Sequence, residues 1–209
     1  MSVGIFATKI GMTQLFDEFG TIFPVTLLKT KKCQITQIKT IDTDGYSSIQ
    51  LGYENKKITN VTKANLGHLK KSGNFICSSF GEFRVPNPES FTLGQEITLN
   101  SFTIGQNVRI TGKSIGKGFT GNQKRHNFSR GLMTHGSKNH RLPGSVGAGS
   151  TPGRVFPGKK MAGQLGNKTV TIKRSKILFI NHEENIIVVQ GSVPGKSNSN
   201  IKIQSIDSI

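Results

Sequence analysis

Short stretches in which apolar and polar residues alternate dominate both ends of the chain. Ile49, Leu51 and Tyr53 alternate with Gln50 and Gly52, the period of a strand with one buried face. Ile97/Leu99, Val108/Ile110 and Val170/Ile172 repeat that spacing, and Ile201/Ile203/Ile206 closes the chain with it. The unbroken apolar run Ile186–Val189 predicts a fully buried strand. Val3–Phe6 and Met12–Phe16 predict two further strands, the second turning through Asp17-Glu18-Phe19-Gly20 into Thr21–Lys29. Cys33–Ile41 runs into Asp42-Thr43-Asp44-Gly45, a hairpin signal. One short helix is predicted at Thr62–Lys71, started by Thr62 and stopped by Gly73. Many short strands with Gly- and Pro-rich turns predict a mainly β fold built on a small barrel.

Between Gly112 and Gly166 the pattern vanishes. That stretch holds 13 glycines with Pro143, Pro152 and Pro157, and its apolar residues (Phe119, Phe128, Leu132, Met133, Leu142, Val146, Val155, Phe156) follow no period. The expected organisation is therefore a barrel domain from residues 1–111 and 169–209, with a small helical insertion at about 60–75 and a long irregular extension, 112–168, between two strands. A compact domain rarely contains so long a structureless loop, so the segment is either disordered alone or ordered against something that supplies packing.

Charge favours the second reading. The chain of 209 residues carries 28 Lys and Arg against 11 Asp and Glu, a net +17. Residues 97–182 hold 15 of those cations and no carboxylate, whereas a solvated protein face normally mixes the signs. Aromatic and aliphatic residues among Lys and Arg suit a segment wedged into folded RNA, with glycine allowing close approach to phosphates. The candidate RNA-binding residues are Lys113, Lys117, Lys124, Arg125, His126, Arg130, His135, Lys138, His140, Arg141, Arg154, Lys159, Lys160, Lys168, Lys173 and Arg174. No run of 18 apolar residues offers a transmembrane helix, and the start lacks the order of a secretory signal. No membrane and no small-molecule substrate is expected. Cys33 and Cys77 form no C-x-x-C pair, which argues against a zinc module or a disulfide scaffold.

Three catalytic patterns fail on inspection. Gly116-Lys117-Gly118-Phe119-Thr120-Gly121 fits G-x-G-x-x-G, but no opening helix is predicted and no acidic residue follows before Glu183. Gly112-Lys113-Ser114-Ile115-Gly116 fits a nucleophile elbow, yet Ser114 has no acid followed by histidine downstream. His126, His135 and His140 cluster in sequence, but cationic surroundings without Cys or carboxylate disfavour a metal; they suit base stacking or hydrogen bonds to RNA, with loop packing the alternative. No cofactor or metal is expected. A structural nucleic-acid-binding protein and a transient nucleic-acid chaperone both remain compatible with these residues.

The opening Gly4-Ile5-Phe6-Ala7-Thr8-Lys9-Ile10-Gly11-Met12-Thr13-Gln14 resembles the start of the universal large-subunit ribosomal protein L-three family, of bacterial and plastid type. So do Ser114–Gly121, Lys124–Phe128, Thr134–Ser137, His140–Gly147, Thr151-Pro152-Gly153-Arg154-Val155-Phe156 and Lys159–Gln164. The resemblance implies a translation-protein-type β-barrel, a central extension running through large-subunit rRNA, and no enzymatic activity. It implies binding near the 3′ end of that RNA, a role early in assembly, and neighbouring large-subunit proteins against the barrel. Gly147, Ala148, Gly149, Ser150 and Thr151 would form the extension tip near the peptidyl-transferase centre. Many bacterial members carry Gln-Asn-Gln before Thr-Pro-Gly, the last Gln being a methylation site; Ala148-Gly149-Ser150 has no side-chain amide to modify. Similarity from Ser2 onward leaves no room for an import peptide, and 21 Lys against 7 Arg, with 22 Ile and 15 Asn, fits an A/T-rich coding sequence. Both favour a plastid ribosome in the chloroplast stroma, with the cytoplasm of an A/T-rich bacterium as the alternative.

Overall fold

The fold was obtained as a computed structural model, which describes residues 4–73 and 75–206. Among them the chain forms β1 (Gly4–Phe16), β2 (Ile22–Thr30), β3 (Cys33–Lys39), α1 (Ile41–Asp44), β4 (Ser48–Asn55), α2 (Lys63–Leu69), β5 (Cys77–Arg84), β6 (Glu96–Ile97), β7 (Asn107–Lys113), β8 (Phe119–Thr120), α3 (Asn122–His126), β9 (Gly163–Gln164), β10 (Thr169–Asn181), β11 (Ile186–Gln190) and β12 (Asn200–Ser205). Two compact units result. One comprises the chain up to Lys113 and from Thr169 onward; the other is Ser114–Lys168.

Within the first unit, six antiparallel strands close a barrel in the order β1-β12-β7-β10-β11-β2. The alternation at Val108/Ile110 and Ile201/Ile203 turns all four side chains into its core. β11 is hydrogen-bonded on both sides, and Ile187, Val188 and Val189 of the unbroken run are buried, while Ile186 at its start is half-buried. Val170 departs from expectation and is exposed, while Ile172 is only partly buried. A register shift between Ile172 and Ser175 hands the core to Ile177 and Ile180. The two strands expected near the start are one strand, except that Val3 lies outside the described residues. The break read between them is a bulge at Lys9/Gly11. There Lys9 is buried, and its ammonium donates to the carbonyls of Val193 (2.7 Å) and Gly195 (3.2 Å).

Cys33–Ile41 and Ile49–Tyr53 are not barrel staves. They belong to a second sheet, ordered β5-β4-β3-β6, whose β5 has no clear alternation in sequence. Leu99 is buried in a 3-10 turn rather than a strand. The tetrapeptide read as a hairpin signal does join the antiparallel strands β3 and β4, but its turn takes the form of α1, with Gly45 left-handed at φ 78° and its N–H on the Ile41 carbonyl. α2 forms where expected, Thr62 accepting the Asn65 N–H. Three helices exist among the described residues where one was expected. Burial raises the thiols of Cys33 and Cys77 to about 11, so neither ionises readily.

Barrel and second sheet interlock through reciprocal glycines. A Cβ on Gly4 would lie 1.7 Å from the Phe83 ring, and one on Gly81 would lie 2.3 Å from the Phe6 ring. Each ring therefore occupies the space over the opposite strand's glycine. Phe6 and Phe83 meet at 5.2 Å, and Phe6 stacks on Tyr53 at 4.1 Å. Lys202 of β12 crosses the same seam, its ammonium 4.2 Å from the Phe83 ring centre and donating to the Glu82 carbonyl. Glu54, held at φ 66°, accepts from Lys31 (2.6 Å), Asn200 (2.8 Å) and Ser79 (2.8 Å), tying β4 to β12 and to the β2–β3 turn.

Two consequences are measurable. Gly81→Ala drives a methyl into a ring packed on two sides and lowers stability by about 1–3 kcal/mol in denaturant unfolding; a neutral result would show that Phe6 repacks freely. The Lys31 ammonium holds the Glu54 carboxyl near 2, below the ordinary 4.5. Its stabilisation is complete above about 4.5 and is lost as pH falls toward 2. Thermal unfolding across that window is expected to fall less steeply for Glu54→Gln than for the native chain, with Glu82, also lowered by Lys39, supplying the remaining slope.

Candidate nucleic-acid interface

Ser114–Lys168 begins as a ladder. Ser114 donates its N–H to the Lys168 carbonyl (2.9 Å), Lys117 to Leu165 (2.9 Å) and Leu165 to Gly118 (3.0 Å), and β8 then pairs with β9. Gly166, at φ 71°, lies so near Ile115 that a Cβ would sit 2.0 Å from its carbonyl oxygen. The Ser114 hydroxyl donates to the Lys168 carbonyl and accepts its N–H, a structural role unlike that of a nucleophile. α3 follows Gly121, correcting the expectation that no helix opens there. The Gly-rich motif nevertheless contains strand β8, so it is not the strand–turn–helix of a dinucleotide site.

α3 has five residues and places Lys124, Arg125 and His126 in its last turn, beside its free carbonyls. Arg125 and His126 both reach the Met161 carbonyl, the latter at 3.0 Å. A second loop closes where Gly131 donates to the His140 carbonyl (3.0 Å) and the His140 ring meets the Leu132 carbonyl (3.0 Å). His126 and His140 thus each spend one ring nitrogen on loop packing. His135 is exposed at φ 56°. Among the described residues no three His, Cys, Asp or Glu side chains gather as metal ligands would.

The remaining predicted contacts face solvent. Lys117, Lys124, Arg130, Lys138, Arg141, Arg154, Lys159, Lys160 and Lys168 are exposed, and Arg125 is half-buried. Lys113 ends β7, and Lys173 and Arg174 lie on β10, all three exposed on the first unit. Gly147–Thr151 is exposed throughout, and the Gly153 N–H returns to the Gly149 carbonyl at 3.2 Å to form a tight turn. Among the described residues, ion pairs join Lys31–Glu54, Lys32–Glu96 and Lys39–Glu82; none involves residues 97–182.

Apolar side chains share this exposure. Phe119 is 80% exposed, Leu132 71%, Leu142 62% and Phe156 59%, and the core cluster includes nothing from Ser114–Lys168. Arg154 lies 5.8 Å from the Phe156 ring centre. A free cation beside an open ring or aliphatic face is complementary to phosphate beside base and sugar. Sequence reasoning omitted two exposed cations of the same acid-free block, Arg109 and Lys176; the block boundary itself was the signal for them.

The profile of the family described as Ribosomal protein L3 matches residues 88–186. The chain is 61% identical to the large ribosomal subunit protein uL3c of Emiliania huxleyi, over 97% of this chain and 98% of that one. It is 51% identical to uL3c of Cyanophora paradoxa over the full length of both. With uL3 of a Picosynechococcus it shares 51% identity over 97% of this chain and 96% of that one. Identity of this extent spans both units, the acid-free block included, and the chain belongs to the ribosomal protein L3 family.

Proposed function

We propose that this chain, a structural constituent of the large ribosomal subunit, binds large-subunit rRNA through Ser114–Lys168 and the flanking Lys113, Lys173 and Arg174. Binding lies near the 3′ end of that RNA, supports early assembly and buttresses the peptidyl-transferase region, with Gly147–Thr151 nearest the centre. The barrel unit meets neighbouring large-subunit proteins. The role is structural, and the ribosome is that of a plastid, in keeping with the uL3c relatives.

One observation carries this reading. Ten Lys and Arg and four widely exposed aromatic or leucine side chains share Ser114–Lys168 with no carboxylate and no share of the core. Phosphate oxygens would accept from the exposed Lys and Arg, the latter in bidentate fashion. Phe119, Phe128 and Phe156 would pack on bases or sugars, and glycine-rich turns would let backbone N–H groups approach phosphates. Packing and counter-charge would then both come from the RNA.

The test is sedimentation with large subunits. Stoichiometric retention at physiological salt is expected; loss at modest salt would instead mark a transient RNA chaperone. If about 10 cations meet phosphates, log affinity for the rRNA falls with log salt at a slope of about −7 to −9. Changing Arg154, Lys159 and Lys160 to Ala flattens that slope by about three or slightly less, whereas an unchanged slope would show all three to be solvated.

A deletion separates the two units. Removing Gly121–Gly158 takes out no core residue and keeps the pairing of β8 with β9. The shortened chain is expected to melt within about 3 °C of the native one, since no core packing is lost. Reconstituted subunits containing it assemble poorly or transfer peptide slowly. Failure to fold would place the block in the core, and full activity would show that it does little at the centre.

A further inference from the structure

β1 and β2 continue past the barrel wall. β12 pairs with β1 only over Gly4–Thr8, so Gly11–Phe16 has β2 as its sole strand partner among the described residues. The two edges of this ribbon differ. On the β2 side Pro24 lacks an N–H and its carbonyl takes the Gly191 N–H at 2.8 Å, so that edge is closed. The β1 side, Gly11-Met12-Thr13-Gln14-Leu15-Phe16, has no proline, lysine or other charge. Exposed strand edges ordinarily carry such residues because unpaired N–H and C=O groups recruit other strands.

The side chains agree. Met12 and Phe16 share one face with Ile22, which pairs opposite Phe16, and these three are at least half exposed. Phe19 at the tip is 89% exposed, and Leu15, Phe16, Asp17 and Phe23 line a cleft of about 340 Å³. Residues 10–28 contain no Lys or Arg, and their charges are Asp17 and Glu18. Lys176 is the cation at that cleft. A segment with two carboxylates and no cation, in a chain of net +17, repels phosphate. It suits a protein that brings its own Lys or Arg.

We propose that the β1–β2 ribbon is a docking edge for one neighbouring large-subunit protein. That protein adds a strand along Gly11–Phe16, packs apolar side chains on Met12, Phe16 and Ile22, and sets basic side chains against Asp17 and Glu18. This rests on the ribosomal reading above and names the surface and the chemistry of a partner within it.

The experiment places the photo-crosslinking residue benzoyl-phenylalanine at Phe16 or at Phe19 of the full chain and recovers large subunits that contain it. Mass spectrometry is expected to find crosslinks from both positions to one ribosomal protein, in a segment bearing Lys or Arg. Crosslinks to rRNA overturn the proposal, as does the absence of any crosslink when the same residue at Phe156 crosslinks in parallel. In a second arm, Met12→Lys with Phe16→Lys installs the edge protection that the strand lacks. Both positions are exposed, so folding is expected to be retained and is verified by thermal unfolding. The variant is expected to stay in the subunit while occupancy of the crosslinked neighbour falls about tenfold or more; unchanged occupancy overturns the proposal. A native chain that fails to sediment with subunits removes the ribosomal reading itself, an outcome distinct from both arms.

Discussion

Ser114–Lys168 cannot neutralise itself. Ten cations without a carboxylate repel one another, and the segment contributes nothing to the core that might offset that repulsion. Short ladders and carbonyl contacts define its path: Ser114 with Lys168, Gly131 with His140, and Arg125 and His126 on Met161. These bonds shape the backbone but bury little apolar surface. The segment itself supplies neither counter-charge nor a packed core, and the remaining chain has to fold without help from it.

The first unit meets that requirement with two sheets rather than one. Six strands close a barrel, and four more form a sheet set against it by the exchange of Phe6 and Phe83 over Gly81 and Gly4. Close packing of this kind tolerates no added methyl on either strand, which makes the two glycines part of the core although they have no side chain. The polar bridges across the seam are satisfied as well. Glu54 answers Lys31, Asn200 and Ser79, and the partly desolvated Lys202, whose ammonium burial pulls down, finds the Glu82 carbonyl.

Surface chemistry differs between two segments of the chain. The acid-free block presents cations and open rings, whereas the apolar β1–β2 ribbon has no cation of its own and carries Asp17 and Glu18; on the proposed reading the first addresses RNA and the second protein. Such segregation allows both contacts at once. A phosphate backbone is repelled by Asp17 and Glu18, and a basic protein by the ten cations of Ser114–Lys168.

Periodicity in the sequence determined the mainly β class, the buried faces at Val108/Ile110 and Ile201/Ile203, the buried run Ile187–Val189 of β11 and the capped α2, because each depends on the local order of apolar and polar residues. Charge accounting determined the acid-free block and its candidate contacts, Arg109 and Lys176 apart, since opposite charges are absent there whatever the fold. Tertiary structure alone decided the rest. Lys9/Gly11 reads as a break in sequence but is a bulge inside one strand, because the partner strand bridges it. β5 carries too many polar residues to announce itself and exists because β4 supplies its hydrogen bonds. The separation of the strands into a barrel and a second sheet, and the pairing of Gly4 with Phe83 and Gly81 with Phe6, join residues nearly eighty positions apart. Alternation along a strand states which face is buried but not against what, and only the folded chain specifies the partner.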